Sequence, residues 1–141
     1  MIVLDASSTI EWLLQTWTGA RVAQRILSSG ETLHAPHLLD VEVTQVFRRQ
    51  VARGVVTASR AEEALQDLLD LQVLRHPHGL FLWRVWELRD NLTAYDAVYV
   101  ALAEALDATL LTCDGKIAAA RGHHARIEVA YQNARTKPSL S

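Results

Sequence analysis

Apolar residues along this chain fall into two patterns that alternate. Short unbroken apolar runs, bounded by small or turn-forming residues, are typical of strands buried on both faces of a parallel sheet. The first such run is Ile2-Val3-Leu4, close to the start of the chain. On this pattern we predict four further strands, at 32–35, 72–75, 109–113 and 127–130.

Between these runs, apolar residues recur every three or four positions, which predicts helices with one face in the core. The spacing of a capping box at Ser8–Glu11 predicts the start of the first helix. This helix is predicted to reach Trp17, and a break at Thr18-Gly19 is predicted to separate it from a second helix that ends at Gly30. Further helices are predicted at 38–54, 57–71, 81–89, 93–106 and 117–121. Strands that alternate with helices predict an α/β fold, in which helices cover both faces of a central, mostly parallel sheet.

Several details of these helices can be checked against a structure. We predict that Trp17, Leu69 and Leu82 face the core and that a second capping box lies at Ser59–Glu62. Four histidines, at positions 76, 78, 123 and 124, lack the Cys and His partners of a zinc finger. We therefore predict that these four lie at the surface and bind no zinc.

Composition narrows the class of protein. The chain has 141 residues, half of them apolar, which is enough for one compact domain with a sizeable core. A single cysteine, Cys113, excludes an internal disulfide framework and fits a reducing compartment. The opening apolar run lacks the basic flank of a secretory signal, and no stretch is long enough to span a membrane. We therefore expect a soluble, cytoplasmic protein.

The charge balance limits how the chain can bind nucleic acid. Lys and Arg number 14 against 16 Asp and Glu, a net charge of −2, so there is no bulk attraction to phosphates. Any such binding needs a local patch. The basic cluster at 48–53 has three arginines, but most clusters of this kind are a solvated helix face.

Two acidic residues follow predicted strands. Asp5 comes directly after the first strand and Asp114 directly after the strand at 109–113. Open α/β sheets place ligand sites at the carboxyl edge, where parallel strands stop and helices begin. For one Asp at one strand end, capping of the next turn is the more ordinary interpretation. The position becomes informative if other carboxylates reach the same edge.

Two further acids can reach that edge. Glu42 lies within the apolar arc of its helix, where a functional role and a position at the edge of the core are equally consistent. Asp96 lies in the first turn of a helix, a place that the helix dipole favours for acids. Helix starts gather at the carboxyl edge in βαβ units, so all four acids can face one site. Strand order, which would decide the matter, cannot be read from the sequence.

The four acids and their neighbours resemble a known family. Asp5, Glu42, Asp96 and Asp114 stand in the contexts Leu-Asp-Ala-Ser, Val-Glu-Val, Thr-Ala-Tyr-Asp-Ala and Leu-Thr-Cys-Asp. This order resembles the PIN-domain ribonucleases, and closely the VapC toxins of prokaryotic toxin–antitoxin pairs. The resemblance implies a PIN-like three-layer α/β/α sandwich over 1–131, followed by a polar tail at 132–141 that we predict to be disordered.

The resemblance also implies an activity. Members of the family are metal-dependent endoribonucleases, and the toxin of a type II toxin–antitoxin module is the expected role. The implied ligands of Mg²⁺, with Mn²⁺ as the alternative, are Asp5, Asp96 and Asp114. Hard oxygen ligands suit these ions. Glu42 is expected to bind the metal through water or to orient the attacking water, and Ser7 and Thr112 to fix the carboxylates.

One departure from the family pattern concerns the metal. Family members often carry a further acid or amide just after the fourth Asp, whereas here Gly115 and Lys116 follow. A second tightly held metal is therefore not expected. Lys116 is instead a candidate for contact with a phosphate of the RNA.

The resemblance implies two protein partners, a second copy of the chain and a VapB-type antitoxin whose tail packs across an apolar groove. Trp12 and Trp83 lie off the main core faces of their helices and are candidate groove residues. For Trp12, packing over the edge of the domain's own core is an equally good explanation.

Two other classes compete with the nuclease: a noncatalytic PIN-like module that binds RNA or protein, and a receiver-type phosphoacceptor domain. The latter is disfavoured because the first strand ends in one Asp rather than an acidic pair.

Overall fold

The structure, a computed structural model, describes residues 1–130. The predicted tail at 132–141 and the predicted end of the domain at 131 lie outside the described residues. The described part contains five strands, all parallel and ordered β3-β2-β1-β4-β5. They are β1 (Ile2–Leu4), β2 (Leu33–Pro36), β3 (Val73–His76), β4 (Thr109–Thr112) and β5 (Arg126–Val129). Each lies within one residue of its predicted position.

Seven α-helices connect and flank these strands within residues 1–130. They are α1 (Ala6–Leu13), α2 (Trp17–Ser29), α3 (Leu38–Ala52), α4 (Ala58–Asp70), α5 (Leu82–Glu87), α6 (Ala94–Leu106) and α7 (Gly115–Ala119). A single 3-10 turn, Gly79–Phe81, precedes α5.

The central strand shows that the sheet is covered on both faces. Ile2, Val3 and Leu4 are 0% exposed, although successive side chains of a strand point to opposite faces. Helix α6 packs across β1, β2 and β4, while α1 contacts α2, α3 and α4. Every residue of α6 from 97 to 103 is buried, as expected for a helix in the core. The predicted α/β class and layered sandwich are confirmed.

The first helix begins earlier than its capping-box spacing predicts. Asp5 is the N-cap of α1, and its carboxylate accepts from the Ser8 backbone N–H at 3.0 Å. The cap is therefore Asp5, as the ordinary interpretation of an acid at a strand end predicts, and Ser8 lies inside the helix. The second predicted box is also wrong, since Thr57 caps α4 and accepts from Arg60 N–H at 3.1 Å.

The prediction that Trp17 is buried is wrong. Helix α1 ends at Leu13, and Thr16 caps a new helix by accepting from Gly19 N–H at 2.9 Å. The break changes the direction of the chain, so the helical spacing counted from α1 no longer applies, and Trp17 is 56% exposed. Gly19, which we predicted to separate the helices, lies inside α2.

Two other predicted core residues are exposed, Leu69 at 69% and Leu82 at 60%. In each case the preceding residue, Leu68 or Phe81, occupies the core position instead. Phe81, Val85 and Leu88 form the inward face at α-helical spacing, and Leu82, one position after Phe81, lies outside that face.

Of the four histidines predicted to lie at the surface, only His124 is exposed. His76 is half-buried, with its Nε2 2.9 Å from Nδ1 of the buried His34. His78 accepts from the Leu38 backbone N–H at 2.9 Å and thereby serves the start of α3. The prediction of surface positions for His76 and His78 was wrong because a polar residue near a strand end can be buried when the next element supplies its hydrogen-bond partners.

Candidate active site

The four acids predicted from the sequence line a single open cleft of about 400 Å³. Asp5 follows β1 and Asp114 follows β4, and these two strands pair directly, with Leu4 opposite Leu111. Glu42 and Asp96 come from the N-terminal parts of α3 and α6. The parallel sheet therefore gathers strand ends and helix starts at one edge, and the structure brings all four carboxylates together.

Asp5 is the most constrained of these acids. It is 3% exposed, and its Oδ1 accepts from Ser7 Oγ at 2.8 Å, from Ser8 N at 3.0 Å and from Ser8 Oγ at 3.1 Å. Its Oδ2 accepts from the Thr112 hydroxyl. Burial raises the pKa of Asp5, and these donors oppose that rise. The carboxylate is thus held in one orientation at the base of the cleft.

Ser7 and Thr112 also connect Asp5 to the loop that carries Asp114. Ser7 Oγ accepts from the Cys113 backbone N–H at 2.9 Å, and Thr112 Oγ1 accepts from Asp114 N–H at 2.9 Å. The two hydroxyls lie 3.2 Å apart. Both residues therefore contact the acids as expected from the resemblance, and their effect on catalysis stays a prediction.

Glu42 has a partner that the sequence analysis missed. The buried Tyr99 hydroxyl donates to Glu42 Oε1 at 2.6 Å. Burial raises the pKa of Glu42, the charges of Asp96 and Asp5 raise it further, and the bond from Tyr99 opposes the rise. Burial also raises the pKa of Tyr99, which keeps the phenol protonated as a donor. The sequence did contain a signal that could have identified Tyr99, namely a polar ring three residues after Asp96 within an otherwise apolar helix.

The negative charges of Asp96 and Asp114 repel each other. Burial raises the pKa of Asp96, and the charge of Asp114 adds to this effect. The Thr93 hydroxyl accepts from the Asp96 backbone N–H at 3.2 Å, so the predicted N-terminal position is confirmed. The charge of Lys116, an exposed residue two positions after Asp114, lowers the pKa of Asp96.

The donor chemistry of the cleft fits a hard cation. All four acids offer oxygen, and like charge accumulates among them, which a cation would neutralise. Within residues 1–130, no three His, Cys, Asp or Glu side chains are gathered into a group that could hold a metal. Mg²⁺ usually keeps several waters and binds through one or two carboxylates together with substrate phosphate. The cleft therefore fits a hydrated ion better than a closed metal cage.

The two tryptophans predicted to bind a partner lie apart from the acids. Trp12 is half-buried and packs against the core, whereas Trp83 is 81% exposed on α5. Helix α1 packs with α2, α3 and α4, and α5 packs with α6. Neither tryptophan lines the acidic cleft. Their role with a partner stays a prediction.

The fold and the cleft together define a class of protein, and comparison with known proteins agrees. A family model for the PIN domain matches residues 2–122. The crystal structure of PAE2754 from Pyrobaculum aerophilum is similar with a TM-score of 0.63 at 26% identity, over 84% of this chain and 77% of that one. The chain belongs to the PIN-domain family.

Sequence relatives narrow the assignment. Ribonuclease VapC12 of Mycobacterium tuberculosis is 44% identical over 129 residues, covering 92% of this chain and 98% of that protein. Ribonuclease VapC9 of the same species is 44% identical over 114 residues, covering 81% of this chain and 86% of the relative. Within the PIN domains, the chain is a member of the VapC group.

Among residues 1–130, no helix combines the length and apolar character that a membrane span requires.

Proposed function

We propose that this chain is a metal-dependent endoribonuclease and the toxin of a type II toxin–antitoxin module. The observation that carries the proposal is the convergence of four carboxylates in one cleft, with Asp5 held by three neighbouring residues. The relatives named ribonucleases, which match nearly the whole chain, support the same activity. A cytoplasmic location follows from this role, because the RNA substrate is there.

Each side chain has a definable task in this proposal. Asp5, Asp96 and Asp114 would hold a hydrated Mg²⁺ or Mn²⁺, in part through its coordinated waters, and such an ion, when bound, would neutralise phosphate charge and lower the pKa of a coordinated water. Ser7 and Thr112 fix the carboxylate of Asp5. These hydrogen bonds keep the carboxylate from rotating when substrate enters.

Glu42 is suited to orient the attacking water and accept its proton. Tyr99 occupies its Oε1, so Oε2 is left to accept from a water in the cleft. The raised pKa of Glu42 brings the carboxylate closer to the working pH, which favours general-base catalysis. Lys116, whose charge lowers the pKa of Asp96, is the candidate for contact with a phosphate of the RNA.

Cleavage of RNA by the purified chain tests this proposal. We expect discrete fragments from total RNA in Mg²⁺ or Mn²⁺, and their loss in EDTA. Asp5→Asn should reduce cleavage by about 100-fold or more, because it removes a negative charge from the metal site. Asp67→Asn, at an exposed position of α4, is the matched control and should cleave like the wild type. RNA that is retained but not cut would replace the nuclease with the noncatalytic binding module.

The exposed apolar side chains of α5 and of the 3-10 turn before it support the proposed protein partners. Leu80 in the turn is 85% exposed, and Leu82, Trp83 and Trp86 in α5 are 60%, 81% and 59% exposed. Apolar residues concentrated in one short segment are typical of an interaction surface rather than of scattered surface hydrophobics. We infer that this surface, the α5 face, binds protein. A VapB-type antitoxin is the predicted occupant, and a second copy of the chain is the alternative.

A further inference from the structure

The acidic cleft extends along helix α3 beyond Glu42. Glu42, Val46 and Gln50 all line it, and they are spaced four residues apart, so they follow one stripe of the helix. At 1.5 Å per residue, Gln50 lies about 12 Å along the helix axis from Glu42. The amide is therefore in the same cleft as the acids but too far away to take part in their chemistry.

Gln50 carries an unusual polar atom. Its side-chain Oε1 is buried and accepts no hydrogen bond from any residue within 1–130. A buried acceptor without a donor is destabilising, because the atom has lost its hydrogen bonds to water and gained none in return. Rotation of the amide into the cleft, towards a ligand that supplies a donor, would remove this cost. The side chain is thus suited to a ligand that both donates to its carbonyl and accepts from its amino group.

The same stripe continues to two arginines. Residues 42, 46, 49, 50 and 53 fall within an arc of about 100° around α3. Arg49 and Arg53 are exposed, and neither forms an ion pair with another described residue. One face of the helix therefore carries a carboxylate towards its start, and an amide flanked by two cations towards its end. This arrangement suits a single strand of RNA whose cleaved phosphodiester lies at the acids and whose later phosphates lie at the arginines.

We propose that Gln50 determines sequence specificity by hydrogen bonding to the edge of an RNA base near the cleavage site, with Arg53 binding a phosphate farther along. The base is one that presents an amino group beside a ring-nitrogen acceptor, adenine above all, because a glutamine amide matches that pair of groups. This inference rests on the proposed ribonuclease function and deepens it. A protein ligand in the same cleft, such as the antitoxin, is the competing explanation.

The test compares cleavage of a pool of single-stranded RNA oligonucleotides of random sequence by the wild type, Gln50→Leu and Arg53→Ala, with all fragment ends sequenced. Gln50→Leu keeps the size of the side chain but not its hydrogen bonds, and should reduce the preference at one nucleotide position by about 10- to 100-fold. Arg53→Ala should weaken cleavage of all sequences alike and make it less dependent on salt. Gln45→Leu, at an exposed position of the same helix, should leave both preference and rate unchanged.

The outcomes separate this inference from the function on which it rests. A wild type that cuts no RNA overturns both. A wild type that cuts, with Gln50→Leu showing the same preference at every position, overturns the inference alone. Titration with the antitoxin is run in parallel, and loss of antitoxin affinity in Gln50→Leu with unchanged cleavage preference assigns Gln50 to the protein interface instead. Thermal unfolding of each variant checks that the fold is intact.

Discussion

Asp5 joins three parts of the molecule through one carboxylate. It caps α1 by accepting from Ser8, it bonds to Thr112 at the end of β4, and it forms the buried base of the acidic cleft. The sequence offered capping and function as alternative explanations for this residue. The structure shows that the cap is what orients the carboxylate, so capping and its place in the candidate site depend on the same bonds.

Replacing Thr112 with Val tests this dependence. The change keeps the shape of the side chain but leaves Asp5 Oδ2 without the hydroxyl donor and Asp114 N–H without its acceptor. We expect the free energy of unfolding to fall by about 1–3 kcal/mol and cleavage to fall by about 10- to 100-fold. Urea unfolding and a fluorescent RNA assay measure the two effects. Thr109→Val, on the same strand, is the control, and full activity in Thr112→Val would show that the bond is dispensable.

The charges in the cleft predict a dependence of stability on pH in the metal-free protein. Burial raises the pKa of Glu42 above its ordinary value of 4.5. Above pH 4.5 the unfolded chain has lost this proton while the folded chain still holds it, so stability falls as the pH rises towards the folded-state pKa. Glu42→Gln cannot lose the proton and should escape this part of the fall.

Urea unfolding in EDTA, at about pH 4.5 and about pH 7, measures the effect. From the lower to the higher pH, the free energy of unfolding should fall less in Glu42→Gln than in the wild type. It should fall more in Tyr99→Phe, because this change removes the donor that favours the ionised form of Glu42. If the wild type and Glu42→Gln lose the same free energy of unfolding between the two pH values, burial does not raise the pKa of Glu42 in the folded protein.

At the level of single residues, the sequence predicted the acids better than their partners. An acid at a strand end or a helix start is visible in the pattern, and the family resemblance selects among such acids. Tyr99 was missed because its role depends on which atoms meet between helices far apart in the chain, and Ser8 was assigned the cap that Asp5 forms. Gln50 was missed for a different reason, since its buried, unpaired carbonyl exists only in the packed structure.

Among the elements, the junction of α1 and α2 shows what local patterns cannot predict. The sequence pattern continues from one helix to the next, so we extended α1 to Trp17 and treated Gly19 as a break. In the structure Gly19 lies inside α2, against the backbone of α1. Its absent side chain allows the two helices to approach closely, and this approach is a property of their packing rather than of either segment.

Gly19→Ala should therefore destabilise the protein. A Cβ at this position would overlap the backbone carbonyl of Glu11, which cannot move aside as a flexible side chain would. Overpacking of this kind costs about 1–3 kcal/mol, more than the gain of about 1 kcal/mol expected from placing Ala in a helix. Chemical unfolding measures the difference. Gly79→Ala, where no atom lies within 4 Å of the added carbon, is the control, and equal stability of the two variants would refute the close packing of α1 on α2.

For the whole molecule, the sequence predicted the layers but not the arrangement of strands. The alternation of strands and helices was enough for an α/β sandwich with a parallel sheet, and the strand positions were accurate to one residue. The order β3-β2-β1-β4-β5 was not readable, because parallel crossovers connect strands that need not be neighbours. That order places β1 beside β4, and so brings Asp5 next to Thr112 and the loop of Asp114.

The α5 face gives the last prediction, which concerns assembly. Trp83 is 81% exposed, so Trp83→Ala should leave the free energy of unfolding unchanged while it weakens antitoxin binding by about 10-fold or more, as expected for a central interface aromatic. Titration calorimetry measures the affinity. Trp17→Ala, at 56% exposure on α2, is the matched control. Trp12→Ala is a weaker test, because Trp12 packs against the core and its loss should also destabilise the domain.

Sedimentation of the same variants, without antitoxin, distinguishes the two occupants of this surface. If Trp83→Ala reduces the molecular mass in solution, the α5 face joins two copies of the chain. If the mass is unchanged and the affinity falls, the antitoxin occupies the face. Trp83 is exposed in the free protein, so the contact that the substitution removes is one made with the antitoxin. Unchanged mass and unchanged affinity would remove Trp83 from both interfaces, and the exposed apolar side chains of α5 would then need another partner.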